Sequence, residues 1–398
     1  MRIVSGKIYV LRIPFVEAFA HSAKDRKFSD SFVVKLIADD GTVGYGEGLA
    51  RPYVTGETVE TSVEYIKDHI FPAIEKHDYA EIETGIEPLA AFQTVAESLP
   101  KVGQTDSLSY PGEIIWNAAR AAVESALIDC LLKRKKLSLA AILPPAKNFV
   151  TYSGVITSGT IETAVQHARR FKLFNIKQIK IKIGSGGDDV SRVAAIRRAV
   201  GDNVSLRVDA NGAFDRCRAV EIARKLARFD IDVFEQPMPR GDLKIWTELR
   251  KCSAIPVMVD ESLVTFNDAQ RLIENSACDF FNLRISKCGG IAETLKIARL
   301  AGENGIRLQL GCQVGETAIL SAIGRHLAAY LQEVEFIEGS YGDLLLTEDI
   351  SRNSVNFGHG GRAPLLRGAG FGVEVRDEIL KKYAHQVIKL GKEKAFYA

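Results

Sequence analysis

Long hydrophobic runs are missing from this chain of 398 residues. No uninterrupted apolar stretch approaches the ~20 residues that cross a bilayer, so no membrane-spanning helix is expected. The opening residues, MRIVSGKIYVLRIPF, lack the basic start, apolar core and small-residue cleavage site of a secretory leader, and none is expected. An excess of one charge is missing too. Lys and Arg number 52 against 50 Asp and Glu, a net charge of +2. No basic run carries interleaved aromatics, which argues against a nucleic-acid partner. The six cysteines (Cys130, Cys217, Cys252, Cys278, Cys288 and Cys312) have no paired spacing. That argues against a zinc site or a disulfide framework and fits a reducing cytoplasm.

What is present is a globular composition, 46% apolar and 26% charged, in a chain long enough for two or three domains. Up to about residue 123 the texture is antiparallel. MRIVSGKIYVLRIPF and DSFVVKLIADDGTVGYGEG read as strands with DDG as a hairpin turn, and helical segments follow near 58–74 and 114–132. GYGEG, at 44–48, reads as a turn at a strand end. From residue 149 short apolar strands alternate with amphipathic helices. The expected strands are 150–155, 178–183, 205–209, 233–235, 257–260, 280–285, 307–310 and 334–337. Eight strands, most followed by a helix, predict an α/β fold of the closed (β/α)₈ type. The expected division is an α+β capping domain at 1–125, the barrel at 126–345 and a segment at 346–398 returning to the cap. IGSGGDD, at 183–189, lacks the G-x-G-x-x-G and Gly-Lys-Ser/Thr patterns of phosphate loops and reads as a tight turn between strand and helix.

Five charged residues carry the chemistry. Lys182 in IKIKIG, Asp209 in RVDAN, Glu235 in FEQP, Asp260 in MVDES and Lys287 in RISKCGG stand at or just beyond successive strand ends, in steps of 27, 26, 25 and 27 residues. Each step is the length of one strand-helix unit, and the C-terminal strand ends of a barrel converge on one mouth. An unpaired carboxylate after an apolar strand is costly, and three facing each other repel. A hard divalent cation relieves that repulsion. An all-oxygen set from Asp209, Glu235 and Asp260 suits Mg²⁺, and Mn²⁺ also fits. The alternative is that each acid pairs with its own lysine or arginine.

Lys180 and Lys182 are two apart on a strand and leave the same face, with Ile179, Ile181 and Ile183 turned to the helices. Neighbouring ammonium groups depress one another's pKa, and a lysine lowered this way is a general base near neutrality. The alternative is that both lysines only neutralise the carboxylates. Lys287, four strands further round, is expected to approach from the opposite side. The mechanism implied is removal of a proton α to a substrate carboxylate through an enediolate, with a proton returned from the other face or a leaving group expelled.

The ordered set K-x-K, D-A-N, E-Q-P, D-E-S and K-x-G-G resembles the enolase superfamily, in its muconate-lactonizing-enzyme subgroup, over nearly the whole chain. The resemblance implies Mg²⁺ held by Asp209, Glu235 and Asp260, acid/base roles for Lys182 and Lys287, a tuning role for Lys180, and support of the ligands by Asn211 and Gln236. It also implies loops of the cap closing over the mouth, a small-molecule carboxylate substrate and a homo-oligomer. His326, in AIGRHLAAYL, is the nearest candidate for the histidine of the mandelate-racemase subgroup and reads as packing.

RPYVTGE at 51–57 resembles the specificity loop of dipeptide epimerases, which makes Tyr53 and Thr55 candidate substrate contacts; Phe19, in the segment 19–30, is a third. The Asp-x-Asp that follows the last barrel strand in dipeptide epimerases is absent. FIEGSYGDLLL stands there instead, with Glu338, and GCQVGET brings Glu316. Either acid could meet a substrate cation or pair with arginine. The leading expectation is racemisation or epimerisation of a dipeptide or N-acyl amino acid. Cycloisomerisation or syn-dehydration, which need only one lysine, is the alternative. A non-catalytic binding barrel is a remote one, since none of the five positions is lost.

Overall fold

The strand Ile3–Leu11 pairs antiparallel with Phe32–Ala38 on one side and with Ala384–Leu390 on the other, so a late segment of the chain completes the first sheet. Val43–Gly48 adds the fourth strand. The computed structural model describes residues 1–21, 24–100, 107–108, 113–157 and 159–391, and of residues 17–21 and 24–26 only the backbone.

GYGEG is a strand and not a turn. Its three glycines let the helix Asn117–Arg134 lie directly on the sheet. A Cβ built on Gly44, Gly46 or Gly48 would come within 2.2, 2.0 or 2.5 Å of the carbonyl oxygens of Ala126, Ala122 and Ala118, one face of that helix. The glycines encode a helix contact that alternation alone does not disclose. The same helix runs through the expected boundary at 125/126.

Eight parallel strands follow in sequential order: Gly154–Ile156, Gln178–Lys182, Ser205–Asp209, Ile231–Glu235, Val257–Val259, Phe280–Leu283, Arg307–Leu310 and Val334–Ile337. Helices of 9 to 13 residues follow the first seven, whereas the eighth is followed only by Gly342–Leu345. The amide of Ser153 donates to the carbonyl of Ile337 (2.8 Å), bridging the eighth strand to the first. The expected strand at 150–155 divides in two. Phe149–Thr151 pairs antiparallel with Arg362–Pro364, and only Gly154–Ile156 joins the barrel. A run of apolar residues does not say which partner each half will take.

Inside the barrel, Val233, Met258, Phe280 and Phe336 form an apolar floor. A charged layer lies above it, beginning with Arg207, whose guanidinium stacks 4.1 Å from the ring centre of Phe336. Register places Lys180 beside Arg207, Lys182 beside Asp209, and Asp209 beside Glu235.

Buried glutamates fasten the cap to the barrel. Helix N-termini carry unpartnered N–H groups and partial positive charge. Glu47 accepts from the amides of Thr317 (2.9 Å) and Leu320 (3.2 Å) and from the Thr317 hydroxyl (2.8 Å), at the start of Ala318–Tyr330. Glu124 accepts from the amides of Ile291 and Ala292 at the start of Ile291–Glu303. Among the described residues no helix is long and apolar enough to cross a membrane.

Candidate active site

Lys182, Asp209 and Glu235 are the last residues of their strands, and Asp260 is the first after Val257–Val259. The three acids are fully buried. Strand alternation turns all of them inward, and cations from neighbouring strands gather them. Lys180 lies 2.7 Å from Glu338 Oε2 and 3.3 Å from both Asp209 Oδ2 and Glu235 Oε2. Asn282 and Gln309 donate their amides to the two oxygens of Glu235 at 2.8 and 3.0 Å. Burial pushes Glu235 up to about 7, reinforced by Asp209 and opposed by Lys180. Burial works the same way on Asp209, but Lys182 and Lys180 together carry it well below the ordinary carboxylate range.

Lys180 does not follow the expected depression. Burial pulls its pKa down, but Glu235, Glu338 and Asp209 outweigh that and raise it well above the usual lysine value. Lys180 stands as the counter-charge of these three acids. Lys182 reaches further out. It donates to Asp209 Oδ2 (2.5 Å) and Asn211 Oδ1 (2.8 Å), and its side chain keeps 13% exposure at a cavity of about 760 Å³.

The sixth-strand side differs from expectation. Lys287 sits four residues past Phe280–Leu283, in the short helix Ile285–Cys288, and is 1% exposed. Its ammonium donates to the carbonyls of Asp260 and Asn282 (each 2.7 Å) and to Asp260 Oδ1 (2.9 Å), and it does not line the cavity. Arg284, the first residue after that strand, lines the cavity and binds Asp260 Oδ2. The expected opposing position is thus held by a guanidinium. The even spacing of the five charged residues had pointed to Lys287; counting from the strand end points to Arg284.

Asn211 and Gln236 both line the cavity and both have positive φ, 45° and 37°, a strained backbone for non-glycine residues of the kind that collects at functional sites. Asn211 bridges Lys182 to Glu261, donating to Glu261 Oε1 at 3.0 Å. Gln236 accepts from the Asp260 amide (2.9 Å) and donates to Ser262 (2.9 Å), fixing the D-E-S turn. Tyr53 lines the cavity; Thr55 is buried and does not. The Phe19 side chain lies outside the described residues. Glu338 is taken up by Lys180 and by Arg207 (3.0 Å), leaving it unsuited to a substrate ammonium. Glu316 lines the cavity, accepts the Gln313 amide (2.6 Å), and is pushed up to about 8 by burial. His326 is packed in Ala318–Tyr330 against the Phe371 carbonyl (3.2 Å), and burial lowers it to about 4. Arg207, Asn282, Gln309 and Arg284 were not singled out from the sequence. Inward alternation from Asp209 and the strand-end rule would have found Arg207 and Arg284.

Among the described residues, no three acid, histidine or cysteine side chains lie close enough together to share an ion as they stand. The donor chemistry nonetheless fits a divalent cation. Lys180 contacts both Asp209 and Glu235, and Arg284 contacts Asp260 and approaches Glu235 at 3.8 Å, so Glu235 is linked to Asp209 through one cation and to Asp260 through the other. One oxygen of the adjacent Glu261 is buried without a partner. All-oxygen carboxylates from three strands are what Mg²⁺ or Mn²⁺ takes.

Fold and site together describe a capped barrel with a cluster of charged residues at its mouth. Residues 8–143 match the mandelate racemase / muconate lactonizing enzyme N-terminal domain, and residues 162–379 match the enolase C-terminal domain-like family. The chain belongs to this family, the muconate-lactonizing-enzyme subgroup of the enolase superfamily, and is an isomerase- or lyase-type enzyme acting on a small molecule. It is 32% identical to a hydrophobic dipeptide epimerase of Enterococcus faecalis, covering 83% of this chain and 87% of that one. It is 27% identical to an N-succinyl-L-Arg/Lys racemase of Bacillus cereus over 96% of this chain and 98% of the relative. The crystal structure of the N-succinyl Arg/Lys racemase from Bacillus cereus superposes with a TM-score of 0.85 at 25% identity, covering 98% and 100% of the two chains. A muconate lactonizing enzyme from Pseudomonas fluorescens, complexed with muconolactone, gives 0.84 at 25% identity over 96% and 99%.

Proposed function

We propose that the enzyme removes the proton α to a substrate carboxylate, with Mg²⁺ (or Mn²⁺) held by Asp209, Glu235 and Asp260. The observation that carries this is Lys182, a cavity-lining amine bonded to Asp209 and Asn211 above a buried layer of acids. When bound, the cation supplies positive charge against the second negative charge that the substrate carboxylate acquires. Lys182, in its neutral form, takes the α-proton, and the C–H electron pair passes into the enediolate. Lys180 holds Glu235, Glu338 and Asp209 in place without exchanging a proton, and Asn211 aims Lys182.

Charge supports an anionic substrate. The ion-paired buried layer holds four acids (Asp209, Glu235, Asp260, Glu338) against five bases (Lys180, Lys182, Arg207, Arg284, Lys287), so an added divalent cation leaves a positive excess for the incoming anion. The relatives' printed activities suggest N-acyl amino acids, dipeptides and muconate as first substrates. The same reading places the enzyme in the cytoplasm, supported by six unpaired cysteines, as a homo-oligomer.

The test is loss of label from pooled α-deuterated N-acyl amino acids and dipeptides, and lactonisation of cis,cis-muconate, with and without Mg²⁺. Label loss or lactone formation should require the metal and fall by roughly 10²–10⁴-fold in Lys182→Ala. Wild-type rates unchanged by metal chelation, or by Lys182→Ala, would refute the reading.

A further inference from the structure

Resting on that reading, we infer that proton exchange is confined to one face of the substrate, the Lys182 face, and that Arg284 holds an anionic group of the substrate from the other. Strands two and six lie opposite one another in a ring of eight, so Lys182, which ends strand two, and Arg284, the first residue past strand six, approach a shared ligand from opposite sides. A two-faced reaction such as racemisation needs a proton carrier at both places. The lysine of the sixth-strand motif does not supply it. All three N–H bonds of Lys287 are donated, two to main-chain carbonyls and one to Asp260, within a fully buried pocket. The Lys287 carbonyl is itself held by Asn117 Nδ2 (2.6 Å), which fixes the short helix in that orientation. Freeing Lys287 would break this whole arrangement.

Arg284 occupies the mouth instead. A guanidinium stays protonated in proteins and carries donors in a planar fork that matches a carboxylate or oxyanion. Its Nε is buried and has no partner among the described residues, so a donor remains to be satisfied. Arg51 and Arg240 line the same cavity and add cationic groups to it, together with the acids Glu261, Glu316 and Glu338.

The chemistry then runs through one amine. In a syn-elimination, Lys182 takes the α-proton, the C–H pair forms the enediolate, and the β-substituent leaves with its bonding pair and the same proton from the Lys182 ammonium. In a cycloisomerisation the order reverses: an internal carboxylate adds to the alkene, the enediolate forms, and the Lys182 ammonium protonates it. Neither course uses a proton carrier at Arg284.

The probes are N-succinyl-L-arginine, N-succinyl-D-arginine and cis,cis-muconate, each with the full chain and Mg²⁺ in D₂O. The expected result is deuterium entering the α-position of one enantiomer at least roughly 100-fold faster than the other, with no optical inversion, or muconolactone labelled on one face. Arg284→Lys should raise exchange of the slow enantiomer and introduce inversion, a gain that a merely structural role would not produce. Lys287→Met should leave the enantiomer ratio unchanged wherever it folds. Inversion by the wild type overturns the inference, whether Cys312, Glu316 or another cavity group acts. So does an Arg284→Lys variant that keeps Lys182-face exchange with its selectivity unchanged. Absence of any exchange or turnover would overturn the proton-abstraction reading itself, and this inference with it.

Discussion

Lys287 grips Asp260 twice, at Oδ1 (2.9 Å) and at its main-chain carbonyl (2.7 Å), while Arg284 binds Oδ2 of the same carboxylate from the cavity side. One acid thus has a buried partner behind and a cavity-lining partner in front. Removing the rear partner leaves a buried carboxylate and two carbonyls short of a donor. Lys287→Met should therefore lower stability by roughly 3–5 kcal/mol, read by urea unfolding. A loss within experimental error would show that Lys287 is not the anchor described.

The glycines of Val43–Gly48 make a second prediction. Gly46→Ala drives a methyl to within 2.0 Å of the Ala122 carbonyl, where backbone and not a flexible side chain must yield. Overpacking of this kind costs about 1–3 kcal/mol or more. Gly41→Ala meets no atom within 4 Å, although Gly41 has a positive φ of 84°, so the position 46 variant should be the less stable of the two. The reverse order would mean that the helix Asn117–Arg134 does not lie on this strand.

Stability should also depend on pH through the glutamates at the domain seam. Burial pushes Glu47 up to about 7 from an ordinary 4.5, with the Thr317 and Leu320 bonds opposing, and Glu124 up to about 7 against its Ile291 and Ala292 bonds. A carboxyl with a raised folded pKa binds more protons folded than unfolded, so its contribution is complete below about 4.5 and is lost as pH rises towards 7. Asp209 and Asp260, both lowered, act in the opposite sense at lower pH, and their contribution is lost on acidification. Unfolding free energy measured from pH 5 to 8 should decline through this window, and Glu47→Gln should flatten the decline. An identical slope in that variant would place the titration elsewhere.

Much of the site was legible because a barrel repeats. Asp209, Glu235 and Asp260 stand where the strand-helix period put them, since each closes or follows a short apolar strand whose alternation turns it inward. Lys287 was misplaced for a physical reason. Its spacing fitted the period, but the turn Ile285–Cys288 intervenes, and a helical residue four past a strand end no longer points as the strand did. Lys180 was misjudged because adjacency to Lys182 was visible in the sequence, whereas Glu338, 158 residues away, was not. Glu338 likewise gave no sign that Arg207 would claim it. Residue 150 was assigned to the barrel because a strand's partner, here Arg362–Pro364, lies too far along the chain for local pattern to reveal.

On the proposed function, Asp209, Glu235 and Asp260 enclose a divalent cation beside Lys182. Titration of the purified protein with Mn²⁺, following the free ion by electron paramagnetic resonance, tests it most directly. One saturable Mn²⁺ site per chain is expected, displaced by Mg²⁺ and lost in Asp209→Asn and in Glu235→Gln variants shown by circular dichroism to be folded. No stoichiometric binding, or binding that survives both substitutions, would contradict it.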